Sequence, residues 1–326
     1  MKKYGFQIVF VWIFGVIPVF AQDYHLSQTD GAPLYLNPAL TAVQGFEQRF
    51  SALYRSQWGK VLTNPYVTTH LGYDRPKDRF GTGGFIMHNK AGIGGFSTLS
   101  VIASGSYEIT TDPKLYRHLF VGLQLGMLNK NFNPDKYSWE NQYTIENGGG
   151  FNQSLPVGES FEKQSVWLPQ ANLGVYFMNN NNQRFFHYFA GFALLNGLSP
   201  KETFLGSNNH LPRRWLVHGG FRIFANEKIT VQPQWLWMYQ SNNTELKFDL
   251  IGFYKIDAKK MVIFGPSYRN KDAAVLIAGM VYDEYTVRIS YDINTSSLKT
   301  YSKSQGGVEV SFIWTKPLEI RKPSIE

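Results

Sequence analysis

The side chains that could do chemistry in this chain are scattered rather than clustered. There are seven histidines, His25, His70, His88, His118, His187, His210 and His218, and no cysteine. No two histidines have the close spacing of a helical metal motif, and no thiolate is available, so no metal site and no other cofactor is expected. A serine hydrolase needs a nucleophile, a base and an orienting acid that converge in space. Ser290 lies two residues from Asp292 on one face of a strand-like pattern, but no readable spacing adds a histidine to them. Gly81-Thr82-Gly83-Gly84 and Gly92-Ile93-Gly94-Gly95 are followed by neither Gly-Lys-Ser/Thr nor a helix pattern, so they make no phosphate loop. Glycines in strands more often mark bends or a close backbone approach. A non-enzymatic protein is expected.

What remains is a set of charges that must be positioned by something. Arg49, Arg55, Arg214, Arg222, Glu245, Lys247, Asp249, Arg288, Asp292 and Glu309 each alternate with apolar or aromatic neighbours. Tyr285, Val287, Ile289 and Tyr291 stand opposite Thr286, Arg288, Ser290 and Asp292; Phe50, Ala52, Tyr54 and Trp58 stand opposite Arg49, Ser51, Leu53, Arg55 and Gln57. Period-two alternation puts the two sets on opposite faces of a strand. Charged residues make up only 17% of the 326-residue chain and aromatics 16%, against about 25% charged in ordinary soluble domains. An outward aromatic face over strands of 10–14 residues, longer than the usual 5–6, reads as a transmembrane antiparallel β-barrel.

The segments expected as strands are 48–57, 65–74, 80–89, 96–110, 116–129, 164–178, 184–195, 211–224, 228–240, 244–256, 259–269, 272–283, 284–292 and 305–315. The fold class is thus all-β, a barrel of about 14 strands spanning 48–315, with both ends in the periplasm. The even count and short turns after even strands suit a bacterial barrel. Residues 1–21, with Lys2 and Lys3, an apolar run and Ala21, read as a secretory signal peptide. The formal charge of +8 falls to +6 without those two lysines, and the rest are too scattered for a nucleic-acid surface; outer-membrane lipid is the expected environment. Residues 22–47 lack alternation and contain Asn37 and Pro38; they are either a plug-like segment in the lumen or a periplasmic tail, and a wide lumen favours the plug. Residues 316–326 form a polar C-terminal tail. Asn37, Pro38, Arg49, Arg55, Gln57, Arg288, Asp292 and Glu309 are the expected plug and lumen residues, pairing across strands, holding the plug or lining a cavity.

Several ordered stretches resemble one family. Tyr54-Arg55-Ser56-Gln57-Trp58 resembles the Tyr-Arg-Asn-Gln-Trp at the end of the first strand in PorP/SprF-type proteins, with Ser56 in place of Asn. Leu36-Asn37-Pro38-Ala39 resembles their Asn-Pro-Ala element, and His25-Leu26-Ser27-Gln28 their Phe-Ser-Gln near the mature N-terminus. Asn172-Leu173-Gly174-Val175-Tyr176-Phe177, Phe264-Gly265-Pro266-Ser267-Tyr268-Arg269 and Ile289-Ser290-Tyr291-Asp292 are similar to later strands of that family. The resemblance implies a FadL-like barrel in the outer membrane of Bacteroidota, belonging to or accompanying the type IX secretion and gliding machinery. It further implies a role in secreting, docking or retaining a large surface adhesin or similar cargo with a C-terminal sorting domain. A periplasmic OmpA-like peptidoglycan-binding protein is a further implied partner. The competing expectation is a FadL-like channel for small hydrophobic compounds, which needs an apolar lumen; the inward faces read here are mostly polar.

Overall fold

The computed structural model describes residues 24–43, 45–59, 62–92, 95–110, 116–145, 149–156, 158, 164–181, 184–204, 208–297 and 299–317. The expected signal peptide and residues 318–326 of the expected tail lie outside the described residues. The strands are β1 (Gln48–Gln57), β2 (Tyr66–Lys77), β3 (Phe80–Ala91), β4 (Phe96–Glu108) and β5 (Arg117–Asn131). A loop carries the short pair β6 (Tyr143–Thr144) and β7 (Gly150–Phe151). Then come β8 (Ser165–Asn179), β9 (Phe186–Leu195), β10 (Arg214–Phe224), β11 (Ile229–Gln240) and β12 (Asn243–Lys255). The last four are β13 (Lys260–Arg269), β14 (Ala273–Tyr282), β15 (Tyr285–Asn294) and β16 (Gln305–Lys316).

Apart from the β6–β7 pair, every strand is hydrogen-bonded antiparallel to its neighbours in sequence, and β1 pairs with β16 from Gln48↔Lys316 to Gln57↔Gly307. The barrel is closed, which leaves no strand edge unpaired in a solvent that offers no hydrogen bonds. Each of the fourteen segments expected from alternation is one of its strands. Boundaries move by a few residues: β2 continues to Lys77, so its turn is Asp78-Arg79 rather than 75–79, and β16 extends to Lys316. There Glu47 N–H donates to the Lys316 carbonyl at 2.7 Å and their side chains pair at 2.8 Å, closing the lower rim.

Facing follows parity. On β13, Val262, Phe264 and Tyr268 point outward while Ile263, Ser267 and Arg269 are buried inside. On β15, Tyr285, Val287, Ile289 and Tyr291 face outward, and Arg288, Ser290, Asp292 and Asn294 face the lumen. The inner wall also has apolar sectors that the alternation did not single out. Ile251, Ile263, Ala273, Val275 and Ile277 pack on one another across β12–β14, and Leu53, Phe85, Met87 and Ile102 pack on Leu26, Ala32 and Leu34 of the N-terminal segment. The polar lumen is therefore a sector, set where the N-terminal segment presents polar groups.

Candidate functional site

Residues 24–43 run through the lumen, from Tyr24 and His25 at the long-loop end to Thr41 and Ala42 near the opposite rim. Their local structure is a chain of single turns: Thr29–Gly31, the helix Pro33–Leu36 and the 3-10 turn Pro38–Leu40. Pro33 and Pro38 each occupy a first helical position, where the missing N–H costs nothing and φ is preset. Such short turns have little stability of their own. Their hold on the wall therefore decides whether the segment stays.

The upper hold is a buried ion cluster. Arg55, on β1, donates to Ser27 Oγ at 2.6 Å, to Asp292 Oδ2 at 2.8 Å and to Glu309 Oε2 at 3.2 Å. Glu309 in turn accepts the backbone N–H of Ser27 at 2.8 Å and of Gln28 at 2.6 Å. Lys247 donates to the Ser27 carbonyl at 2.6 Å and pairs with Asp249 at 3.1 Å. Arg269 donates to Asp292 Oδ2 at 2.9 Å and also pairs with Asp272. The β15–β16 ladder shifts register between Tyr291 and Ile293, so Asp292 sits at an irregularity of the kind that re-aims a side chain. Gln28 completes the clasp, its Nε2 donating to Ser290 Oγ at 3.1 Å and its Oε1 accepting from Ser311 Oγ at 2.6 Å. The bonds made by Arg55, Glu309 and Lys247, and by Arg269 to Asp292, are charge-assisted and join groups withdrawn from water, the stronger class of hydrogen bond.

The lower hold is a cradle of glycines. Asn37 Oδ1 accepts the Ala39 N–H at 2.9 Å, capping the turn, while its Nδ2 lies 3.1 Å from the Val175 carbonyl, 3.2 Å from the Phe192 carbonyl and 3.1 Å from His218 Nε2. The wall comes close enough for this only because it lacks side chains there. A Cβ on Gly174 would stand 2.0 Å from Asn37 Oδ1, and one on Gly122 would stand 2.3 Å from the backbone of Pro38 and Ala39. Below, Asp74 accepts the Ala42 N–H at 2.5 Å and pairs with Arg49 at 2.6 Å, and Arg49 also donates to the Leu40 carbonyl at 2.9 Å.

Of the residues picked from the sequence, Arg55, Asp292 and Glu309 meet in the upper cluster, and Arg288 reaches the same segment through Asp30 at 2.6 Å. Asn37 and Pro38 sit in the cradle, and Arg49 is at its base. Gln57 joins neither group; it lines a cavity of about 720 Å³ above the cluster, with Tyr66, Asn89, Thr98 and Trp58, the last expected on the outward face but lying past the end of β1 with φ at 59°, where strand parity no longer holds. The reading of site residues passed over Ser27, Gln28, Asp74, Arg269 and the glycines at lumen-facing positions. A glycine at an inward parity position is a signal for close approach, but it does not say what approaches.

A family model described as type IX secretion system membrane protein PorP/SprF matches residues 19–314. Among curated proteins none matches the chain. Among solved structures, the Ralstonia pickettii toluene transporter TbuX is 12% identical, with 88% of this chain and 94% of that one covered and a TM-score of 0.53. The P. putida toluene transporter TodX is 11% identical, with 86% and 92% covered and a TM-score of 0.51. At these identities the likeness is one of fold.

Proposed function

The chain belongs to the PorP/SprF family of type IX secretion system membrane proteins and is an outer-membrane β-barrel, and from that premise we propose that it is a non-enzymatic, plugged barrel that docks secreted cargo rather than conducting a solute. The observation that carries this reading is the two-point seating of residues 24–43. A segment clasped at one end by Arg55, Asp292 and Glu309 and at the other by a glycine cradle is seated inside the lumen, where a conducted solute would have to pass, and this supports docking over conduction. Channels for hydrophobic compounds need a continuous apolar route, whereas the groups around the upper segment are ionic.

Cargo contact falls to the outer loops. The β6–β7 pair lies in the longest connection between barrel strands and exposes Tyr143, Ile145 and Phe151, with Ile145 86% accessible. Exposed apolar side chains in one place are a common mark of a protein-binding surface. The partner this suits is a secreted surface protein or adhesin bearing a C-terminal sorting domain; the short-turn rim would meet a periplasmic OmpA-like peptidoglycan-binding protein.

Two measurements test the proposal. Cargo should co-purify with the barrel in mild detergent, and lose that association when Tyr143, Ile145 and Phe151 are changed to serine. In planar bilayers the intact barrel should stay closed, and deletion of residues 24–43 should open large steps. A barrel that conducts while plugged, or takes up aromatic hydrocarbons while cargo display is normal in the deletion strain, would replace docking with transport.

A further inference from the structure

The cavity above the plug has a lining that the docking reading does not call for. It opens at the long-loop end, and its volume of about 720 Å³ lies within the range of roughly 300–1,000 Å³ typical of small-ligand sites. Among the described residues, every charged side chain lining it already has a partner in the protein. Arg55 is bound to Asp292 and Glu309, Lys130 to Glu202 at 2.7 Å, and His25 to Glu245 at 2.6 Å. His210 Nδ1 lies 3.0 Å from the Ser199 carbonyl. An anionic or cationic ligand would have to break one of these pairs.

What the cavity offers instead is neutral. Gln57 and Asn209 bring amides, and Asn89, whose Nδ2 donates to the Thr68 hydroxyl at 2.8 Å, brings an amide oxygen. Thr98 Oγ1 is buried at the cavity wall without a hydrogen-bond partner, a state that costs free energy until something supplies one. At the rim, Trp58 packs edge-to-face against Tyr66, with ring centroids 5.3 Å apart and planes at 86°. Trp58 also holds φ at 59°, the left-handed region that a bulky residue rarely adopts. Its N–H donates to the Gly306 carbonyl at 2.8 Å, so the strained conformation is fixed at the mouth of the cavity. Such strain clusters at ligand sites.

Flat aromatic faces beside neutral amides and hydroxyls, with no unpaired charge, suit the apolar face and equatorial hydroxyls of a pyranose ring. We infer that this outer vestibule binds a neutral oligosaccharide, with Trp58 as the stacking platform and Thr98 as a buried hydrogen-bond partner. A hydrocarbon would leave Thr98 unpaired and would cover the Gln57 and Asn209 amides without bonding them; a peptide carboxylate would find each lining cation already engaged.

The test uses the full barrel in detergent and three probes, hexamers of glucose, mannose and N-acetylglucosamine, titrated by calorimetry. A pentapeptide with a free carboxylate and toluene serve as contrasts. At least one hexamer should bind saturably below about 1 mM. Thr98→Val, which keeps the shape, should weaken it about 3–10-fold, and Trp58→Ala by about tenfold or more. Both variants should keep the heat-modifiable migration of the folded barrel, and Thr98→Val carries the test if Trp58→Ala does not fold. The proposal is overturned if no hexamer binds, if Thr98→Val binds as tightly as the parent, or if the peptide or toluene binds in place of the sugars. Because the β6–β7 pair is not altered, loss of sugar binding with cargo association intact separates this site from the docking surface.

Discussion

Arg55→Ala tests how the plug is held. Arg55 is 2% exposed, and its guanidinium serves Ser27, Asp292 and Glu309 at once. Without it Asp292 still has Arg269 at 2.9 Å and Ser27 Oγ at 2.6 Å. Glu309, fully buried, keeps the Ser27 and Gln28 amides but loses its guanidinium. Removing one partner of a buried ion pair costs about 3–5 kcal/mol. The strand ladder is unchanged by the substitution, and water can reach Glu309 once the segment lifts away, so the cost falls on the docked plug. At about 1.4 kcal/mol per tenfold, the undocked population rises by roughly two to three and a half orders of magnitude. The chain has no cysteine, so Ala32→Cys, at a fully buried plug position, supplies a single reporter thiol. Its labelling by a membrane-impermeant maleimide should be slow with Arg55 present and at least about 100-fold faster with Arg55→Ala. Arg55→Lys should fall between the two, since a single ammonium cannot reproduce the planar fork that serves three acceptors. Equal labelling rates in a barrel of normal heat-modifiability would refute the claim that this cluster seats the plug.

Three other substitutions probe the rest of the argument. Gly174→Ala places a methyl carbon 2.0 Å from Asn37 Oδ1 and should expose residues 24–43 to protease, at a cost of about 1–3 kcal/mol, while Gly105→Ala, whose nearest neighbour is 3.8 Å away, should leave proteolysis unchanged. Asn37→Ala removes both the cap on Ala39 and the contacts to two wall carbonyls; a loss of about 0.5–2 kcal/mol for the cap should appear as faster maleimide labelling of the reporter thiol in the Ala32→Cys background. Phe264→Arg puts a charge on the outward face of β13, and urea unfolding in lipid should show a loss of about 2–4 kcal/mol if that position lies at the bilayer midplane.

The clasp and the cradle act on different parts of one short segment. The ion cluster grips the backbone around Ser27, whereas the glycines admit the backbone around Pro38. An ionic clasp responds to what occupies the space above it, and the cavity shares Arg55 with that clasp. A steric cradle responds only to displacement of the segment. The cradle should therefore persist when the clasp is loosened, which makes partial release, outer end first, the expected response to Arg55→Ala.

Alternation made the wall legible because it is local: each strand residue faces lipid or lumen by parity, and a lipid exterior forces the apolar set outward whatever the partner strand. That is why Tyr291 and Asp292, adjacent in sequence, could be placed on opposite sides from the sequence alone, and why all fourteen strands were found. Partnership is not local. Ser27 and Asp292 are 265 residues apart and meet at 2.6 Å only because β15 and β16 close onto β1 around the N-terminal segment. Sequence placed Arg55, Asp292 and Glu309 on the inside; closure decided that they grip one serine and one glutamine. Gly174 likewise stands in a strand that alternation located, while only the tertiary structure shows the asparagine that occupies the space beside it. Gln57 was read as a plug or lumen residue by its parity, and its height on β1 puts it in the vestibule, since parity assigns a face and the barrel assigns the depth.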